Sequence, residues 1–324
     1  MMFAISGFLL GVAGSWLVMR YGDRIGAMDV PNFRSSHDKM IPKGAGLGIL
    51  AALVVTGLVL KIPFFIWIPA LAISLASFWG ADRHILPVLH RLGIHFGCAL
   101  FFLVFFLHAK GAGPGAYVRW LPVLVFIVGT ANFYNFMDGI DGIAGITGFL
   151  AFLLMAVYAG ISAVPPVFVS LNLALAFACL GFLFFNFPVA KVFLGDVGSI
   201  LLGFVFACLV IFLSQDLADF LVMAGFLALF YFDEMVTMAV RIKNGDSLVA
   251  PHRKHIYQVL VNEAGIGHWK VSVGYGAVQL LVGVLAMWLH PGGAWPLLAM
   301  YLFFGLIFTV FSIIVRKRFP SSEN

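Results

Sequence analysis

Four short stretches of this 324-residue chain gather the side chains able to do chemistry. The first reads Asn132-Phe-Tyr-Asn135-Phe-Met-Asp138-Gly-Ile-Asp141-Gly. If a helical path runs through it, Asp138 and Asp141 at i and i+3 share a face, with Asn135 three residues earlier. Two carboxylates and an amide on one surface suit a hard cation, a sugar or a nucleotide. Like charges this close are costly unless a cation or a donor neutralises them. The structural alternative is an Asp-Gly-rich turn that caps a helix. The second stretch, Phe193-Leu-Gly195-Asp196-Val-Gly198-Ser199, precedes an apolar run. Its glycines let backbone approach a ligand, and N–H groups at a helix start favour phosphate. Asp196 either holds Mg2+ beside a pyrophosphate or simply N-caps the helix that follows.

The third stretch, Pro251-His252-Arg253-Lys254-His255-Ile-Tyr257-Gln258, follows Arg241 and Lys243. Imidazole, guanidinium and ammonium groups so concentrated make a clamp for a nucleotide pyrophosphate, or a plain basic patch at a membrane surface. The fourth, Asp29-Val-Pro31-Asn32-Phe-Arg34-Ser35-Ser36-His37, runs on to Pro42-Lys43-Gly44-Ala45-Gly46. Asn32, Arg34, Ser35 and His37 mix a cation, a hydroxyl, an amide and an imidazole; an ordinary connecting loop is the competing account.

The elements that must position these stretches are read from composition. With 62% hydrophobic residues, 10% charged residues and a mean hydropathy of +1.06, a soluble core is excluded and the bilayer is the solvent. Apolar runs lie at 2–19, 45–62, 63–79, 94–108, 118–135, 144–160, 164–183, 198–214, 217–239, 272–290 and 294–315. They predict an all-α polytopic membrane protein of about ten or eleven transmembrane helices forming a single domain, 1–324. The pairs at 45–79 and 144–183 set the uncertainty in the count. The first run lacks a basic leader and a small-residue cleavage pattern, so it reads as a retained span.

With eleven spans, loops 20–44, 80–93, 136–143, 184–197 and 240–271 and the tail 316–324 share one side. That side holds 16 of the 19 Lys and Arg residues, all but Lys61, Lys110 and Arg119. The skew puts this side in the cytoplasm, the N-terminus outside and the C-terminus inside. The net charge of +5 is therefore topogenic and not a nucleic-acid footprint. Cys98, Cys179 and Cys208 lie in apolar runs without metal or disulfide spacing, and His95, His108 and His290 read as interfacial.

At its four stretches the sequence resembles the polyprenyl-phosphate N-acetylhexosamine-1-phosphate transferase family, glycosyltransferase family 4. NFYNFMDGIDGIAG at 132–145 is similar to the family's most distinctive signature, and FLGDVGSILLG at 193–203 to its second. DVPNFRSSHDKMIPKGAGLGI at 29–49 resembles its first cytoplasmic loop, with Lys43 and Ala45 where Arg and Gly are usual. PHRKHIYQ at 251–258 is closer to the O-antigen-initiating branch than to the peptidoglycan enzyme. The family usually has adjacent aspartates after its third helix; here Trp79-Gly80-Ala81-Asp82-Arg83-His84 keeps Asp82 alone.

The resemblance implies transfer of a sugar 1-phosphate from a UDP-N-acetylhexosamine to undecaprenyl phosphate with release of UMP, starting a lipid-linked glycan such as O-antigen. It implies Mg2+, with Mn2+ as the alternative, a bacterial inner-membrane location and a cytoplasmic active site; a homodimer is left open. Asp196 is the expected metal ligand, with Asp138 as a second, and Asp138 and Asp141 place metal or nucleotide. Asp82 orients the acceptor phosphate; Asn132, Asn135, Arg241, His252, Arg253 and His255, with the first-loop residues, hold substrate. A phosphate monoester has a second pKa of about 6, so the acceptor does not need a dedicated base; a two-step route through an aspartyl-phosphate on Asp138 or Asp141 is the alternative to direct attack. A 6-deoxy donor such as N-acetylfucosamine or N-acetylquinovosamine is favoured by the fifth loop. The rivals are a phospho-MurNAc-pentapeptide-type transferase and, in another class, a transporter or lipid flippase, which would carry ionisable groups at the midplane of broken helices.

Overall fold

Proline and glycine punctuate the chain into helices. The computed structural model describes residues 1–24, 26–30, 39–82, 86–113, 120–247 and 252–320, without the side chains of 81 and 82. All eleven apolar runs fold as helix: α1 Met2–Tyr21, α2 Gly46–Val59, α3 Phe64–Ser77, α4 Val88–Ala109, α5 Leu121–Phe136, α6 Ile143–Ile161, α7 Pro166–Asn186 and α8 Asp196–Leu213 come first. Next are α9 Leu217–Ala224 and α10 Ala228–Asn244, two halves of one run, then the short loop helix α11 Ile256–Asn262, α12 His268–Leu289 and α13 Ala294–Arg318. Pro63, Pro87 and Pro165 stand at the starts of α3, α4 and α7, where a missing N–H costs nothing.

The chain is thus an all-α polytopic membrane protein. Among the described residues eight helices, counting Leu217–Asn244 as one, are long and apolar enough to cross a bilayer, and three apolar ones are shorter: Gly46–Val59, Phe64–Gly80 and Leu121–Phe136. Fourteen residues of α2 rise only about 21 Å, against roughly 30 Å of hydrocarbon. Of the two doubtful pairs, 144–183 becomes two full-length helices and 45–79 two short ones.

The run at 217–239 is broken: a 3-10 turn at Gly225–Leu227 separates α9 from α10. Gly225 meets the Tyr301 hydroxyl of α13 so closely that a Cβ would lie 1.8 Å from it. The centre of the bundle is α8, nearly all of whose side chains are buried among α2, α3 and α5. Helix α1 seats Gly7 and Gly11 on α7, where added Cβ atoms would lie 2.1 and 2.2 Å from the Ala174 and Ala178 carbonyl oxygens. Small residues on facing helices are what membrane packing requires for such an approach. Most of α1 and α13 faces outward, as a lipid-exposed surface would.

Among the described residues two strands complete the fold: β1 Met28–Asp29 pairs antiparallel with β2 Ile41–Pro42. The chain after β2 then lies along the second signature, with N–H groups of Gly44 and Ala45 donating to the Phe193 carbonyl at 3.1 and 3.0 Å.

Candidate active site

Helix α5 ends at Phe136, so Asp138 and Asp141 do not share a helical face; they sit in the turn that leads into α6. Gly142 explains the break: at φ 84 it occupies the left-handed region that a Cβ disfavours, and its N–H donates to Asn186 Oδ1 at 2.8 Å. Asn186 Nδ2 in turn donates to the Val192 carbonyl at 3.0 Å, binding the first signature to the second.

The two aspartates differ. Asp141 Oδ2 accepts from the Ala190 N–H at 3.2 Å and lies 3.3 Å from His268 Nδ1, while its carbonyl accepts from Ser272 Oγ at 2.7 Å. It fastens α12 and the α7–α8 connection to the turn. Asp138 is half-buried at the same turn.

Asp196 opens α8, but it is not the cap. Gly195, at φ 75, holds that position, and no side-chain cap bond forms. The Asp196 carboxylate instead accepts from Arg91 Nη1 at 3.1 Å, both side chains being about a third exposed (31% each). Asn135 Nδ2 donates to Ser199 Oγ at 3.3 Å, on the first turn of α8, which joins the end of α5 to the Asp196 turn. Asn132 turns the other way: its Nδ2 donates to the Val128 carbonyl at 2.7 Å and lies 3.3 Å from His95 Nδ1. His95 is buried. His290 bonds Asp219 at 2.9 Å and Tyr158 at 3.1 Å, at the opposite end of the bundle.

The basic segment reaches the same turn through α11. Tyr257 Oη donates to the Phe136 carbonyl at 2.9 Å and lies against Gly139, where a Cβ would be 2.2 Å from it. Burial, then the charges of Asp233, Asp138 and Glu234, hold this phenol well above its ordinary pKa, so it stays a donor. His255 is not open to solvent: its Nδ1 lies 3.5 Å from Asp233 and its Nε2 3.4 Å from Glu234, in a buried sandwich. Arg241 is buried too, donating to the Ser247 carbonyl. The more accessible groups are His252, Arg253 and Lys254. Lys254 pairs with Asp246 at 2.9 Å and Arg253 lies 4.0 Å from Glu263. Burial and the nearby His255, Arg241 and Lys254 push the His252 imidazole down to a pKa of about 3, so it is neutral at pH 7.

Asn32, Arg34, Ser35 and His37 lie outside the described residues, as does the side chain of Asp82; the Asp82 backbone belongs to a π-helical turn, Phe78–Asp82, that packs beside α8. Sequence reasoning passed over Arg91, Asp233 and Glu234. Arg91 looked like one more topogenic cation. The two adjacent carboxylates inside an apolar run were the stronger signal, because ionisable groups at membrane depth are functional candidates by default.

Among the described residues no three His, Cys, Asp or Glu side chains converge as a closed metal cage. Magnesium does not need one, since one or two carboxylates with substrate phosphates and water commonly suffice. The carboxylate of Asp196, partly exposed at a helix start, fits that use, and Asp138 belongs to the turn that Asn135 ties to the same helix.

The chain has relatives of known description. Glycosyl transferase family 4 matches residues 63–214, which contain both signatures. The probable undecaprenyl-phosphate N-acetylglucosaminyl 1-phosphate transferase of Bacillus subtilis (strain 168) is 30% identical over 310 residues, covering 90% of this chain and 84% of that protein. Phospho-N-acetylmuramoyl-pentapeptide-transferases of Staphylococcus epidermidis and Staphylococcus aureus (strain JH9) are 33% and 32% identical, each over 35% of this chain and 34% of the relative. With its signature turns bonded to one another at one end of a membrane-helix bundle, and a relative matching along nearly its whole length, the chain belongs to the polyprenyl-phosphate hexosamine-1-phosphate transferase family.

Proposed function

We propose that the chain transfers a sugar 1-phosphate from a UDP-N-acetylhexosamine to undecaprenyl phosphate, on the cytoplasmic face of a bacterial inner membrane. The observation that carries this reading is the convergence of three segments. Asn135–Ser199 and the chain of bonds Gly142–Asn186–Val192 join the Asp138 turn to the approach to the Asp196 turn, and Tyr257 joins it to the basic segment. A carboxylate pair beside a cationic strip is what a metal-assisted pyrophosphate site needs, and phosphoryl transfer depends mainly on positioning and charge neutralisation.

In this reaction a phosphate oxygen of the acceptor attacks the β-phosphorus of the donor, the bond from that phosphorus to the bridging oxygen breaks, and UMP leaves with that oxygen. The product is a polyprenyl-diphosphate sugar that can start a glycan such as O-antigen. Asp196, with Asp138, would hold Mg2+ or Mn2+, which supplies charge neutralisation at the diphosphate. Arg91 stands at the Asp196 carboxylate, 3.1 Å away, where it can take a phosphate oxygen. Arg253 and Lys254 supply positive charge to the donor, while neutral His252 contributes hydrogen bonds. Asp141, committed to Ala190 and His268, shapes the turn, and Asp138 is the carboxylate of that turn assigned to the chemistry.

The full-length match favours a small N-acetylhexosamine donor, N-acetylglucosamine or a 6-deoxy relative, over the pentapeptide-bearing donor of the partial matches. The test is transfer of β-32P from a panel of UDP-N-acetylhexosamines to undecaprenyl phosphate in membranes, with and without EDTA. Metal-dependent label in the lipid phase that Asp196→Asn removes is the expected result and names the sugar. No transfer from any donor by folded protein would sink the proposal.

A further inference from the structure

The α10 helix carries a fully buried carboxylate. Asp233 has no exposed surface, yet it is surrounded by donors. Oδ1 accepts from the Ile256 N–H at 2.9 Å and Thr237 Oγ1 at 3.1 Å, with His255 Nδ1 3.5 Å away. Oδ2 accepts from Tyr275 Oη at 2.7 Å and the Tyr257 N–H at 3.3 Å. Except for Thr237, every one of these donors comes from α12 or from the start of α11. Arg316 of α13 approaches from behind, its Nη2 donating to Thr237 Oγ1 at 3.0 Å, and Glu234 takes the other side of the His255 ring at 3.4 Å.

A buried carboxylate with this set of partners holds something in place. What it holds is α11, whose Tyr257 reaches the Phe136 carbonyl and lies on Gly139, next to Asp138. The Tyr257 ring also stacks on His255, 5.7 Å between centroids and 19° apart, and His255 follows directly on His252, Arg253 and Lys254.

We propose that Asp233 is a positioning residue: it docks the 252–258 segment against the Asp138 turn, so that the cationic strip and the carboxylate face one substrate. Its catalytic meaning rests on the transferase reading above; its structural part does not. An Asp233→Asn amide can face only one way, so either the Ile256 N–H at Oδ1 or the Tyr257 N–H and Tyr275 hydroxyl at Oδ2 lose their acceptor. A carboxylate that merely stabilises the bundle would lower the yield of folded protein and leave the surviving fraction normal. A positioning residue instead changes how that fraction handles the donor.

The experiment is hydrogen exchange on purified full-length protein in detergent, paired with steady-state transfer, for Asp233→Asn, Tyr257→Phe and the double variant. In Asp233→Asn, amides of 256–262 should exchange at least tenfold faster while those of 166–186 stay unchanged, and KM for the nucleotide sugar should rise at least tenfold. The double variant should lose little more than the worse single one. Unchanged exchange at 256–262, or fully multiplicative losses in the double variant, overturns the proposal. Should Asp233→Asn fail to fold, Tyr275→Phe, which keeps the carboxylate and removes one donor, carries the same exchange test with the same two outcomes. If the wild type transfers no sugar phosphate, the transferase reading fails, and the exchange result still decides whether Asp233 holds α11.

Discussion

Arg91 and Asp196 show how little an ion pair has to stabilise in order to matter. Both side chains are about a third exposed (31%), and pairs of that kind contribute at most about 1 kcal/mol to stability. A guanidinium at the proposed phosphate site, by contrast, acts where charge is redistributed, and removing one such group typically costs about 100-fold in rate. Arg91→Met should therefore leave the thermal midpoint in detergent within error of wild type and cut transfer about 100-fold. A matching fall in midpoint would make the pair structural. His252 gives a second test. Its pKa falls from 6.5 to about 3 through burial and neighbouring cations, so the unfolded chain binds a proton near pH 6.5 that the folded chain refuses. Its contribution to stability is whole above that pH and is lost as the pH drops toward 3. The wild-type midpoint should fall more steeply between pH 7 and pH 5 than that of His252→Gln; parallel curves would mean that His252 is free to protonate.

Helices in a bilayer gain little from hiding apolar surface from one another, so close backbone approach decides which pairs form. Gly7 and Gly11 on α1 meet the α7 backbone with no room for a Cβ, whereas Gly97 on α4 has nothing within 4 Å of one. Gly11→Val should force α1 off α7 and lower the midpoint sharply. Gly97→Ala should be neutral or stabilising by up to ~1 kcal/mol, as expected for a helix interior. Equal effects would mean that α1 is held by something else. The same contrast explains what was legible in the sequence. Span positions need only local composition, and all eleven runs became helices. The break at Gly225–Leu227 was hidden, because it depends on Tyr301 of α13, far along the chain. Asn132 and Asn135 were both singled out, yet only Asn135 bonds α8, because which way each amide points is set by neighbours on α4 and α8. Arg91 finds its carboxylate 105 residues away, a distance that no local pattern spans.

At the scale of the molecule, the described parts of the loops at 20–44, 136–143 and 240–271 and both signatures fall at one end of the bundle, while Tyr158, Asp219 and His290 close the other. The charge skew predicts that the first end is cytoplasmic, and the proposed reaction requires the same, because its water-soluble nucleotide sugar has to reach that end. Both arguments meet in one measurement. Gln215, just past α8, and Lys270, at the start of α12, are exposed at opposite ends. With Cys98, Cys179 and Cys208 replaced by alanine, Gln215→Cys should react with a membrane-impermeant maleimide in intact spheroplasts. Lys270→Cys should react only after lysis. The reverse pattern would put the carboxylates and the cationic strip outside, away from any cytoplasmic UDP-sugar. A site so placed could not draw on that donor, and the reaction proposed for it would have to be abandoned even with every hydrogen bond in the site intact.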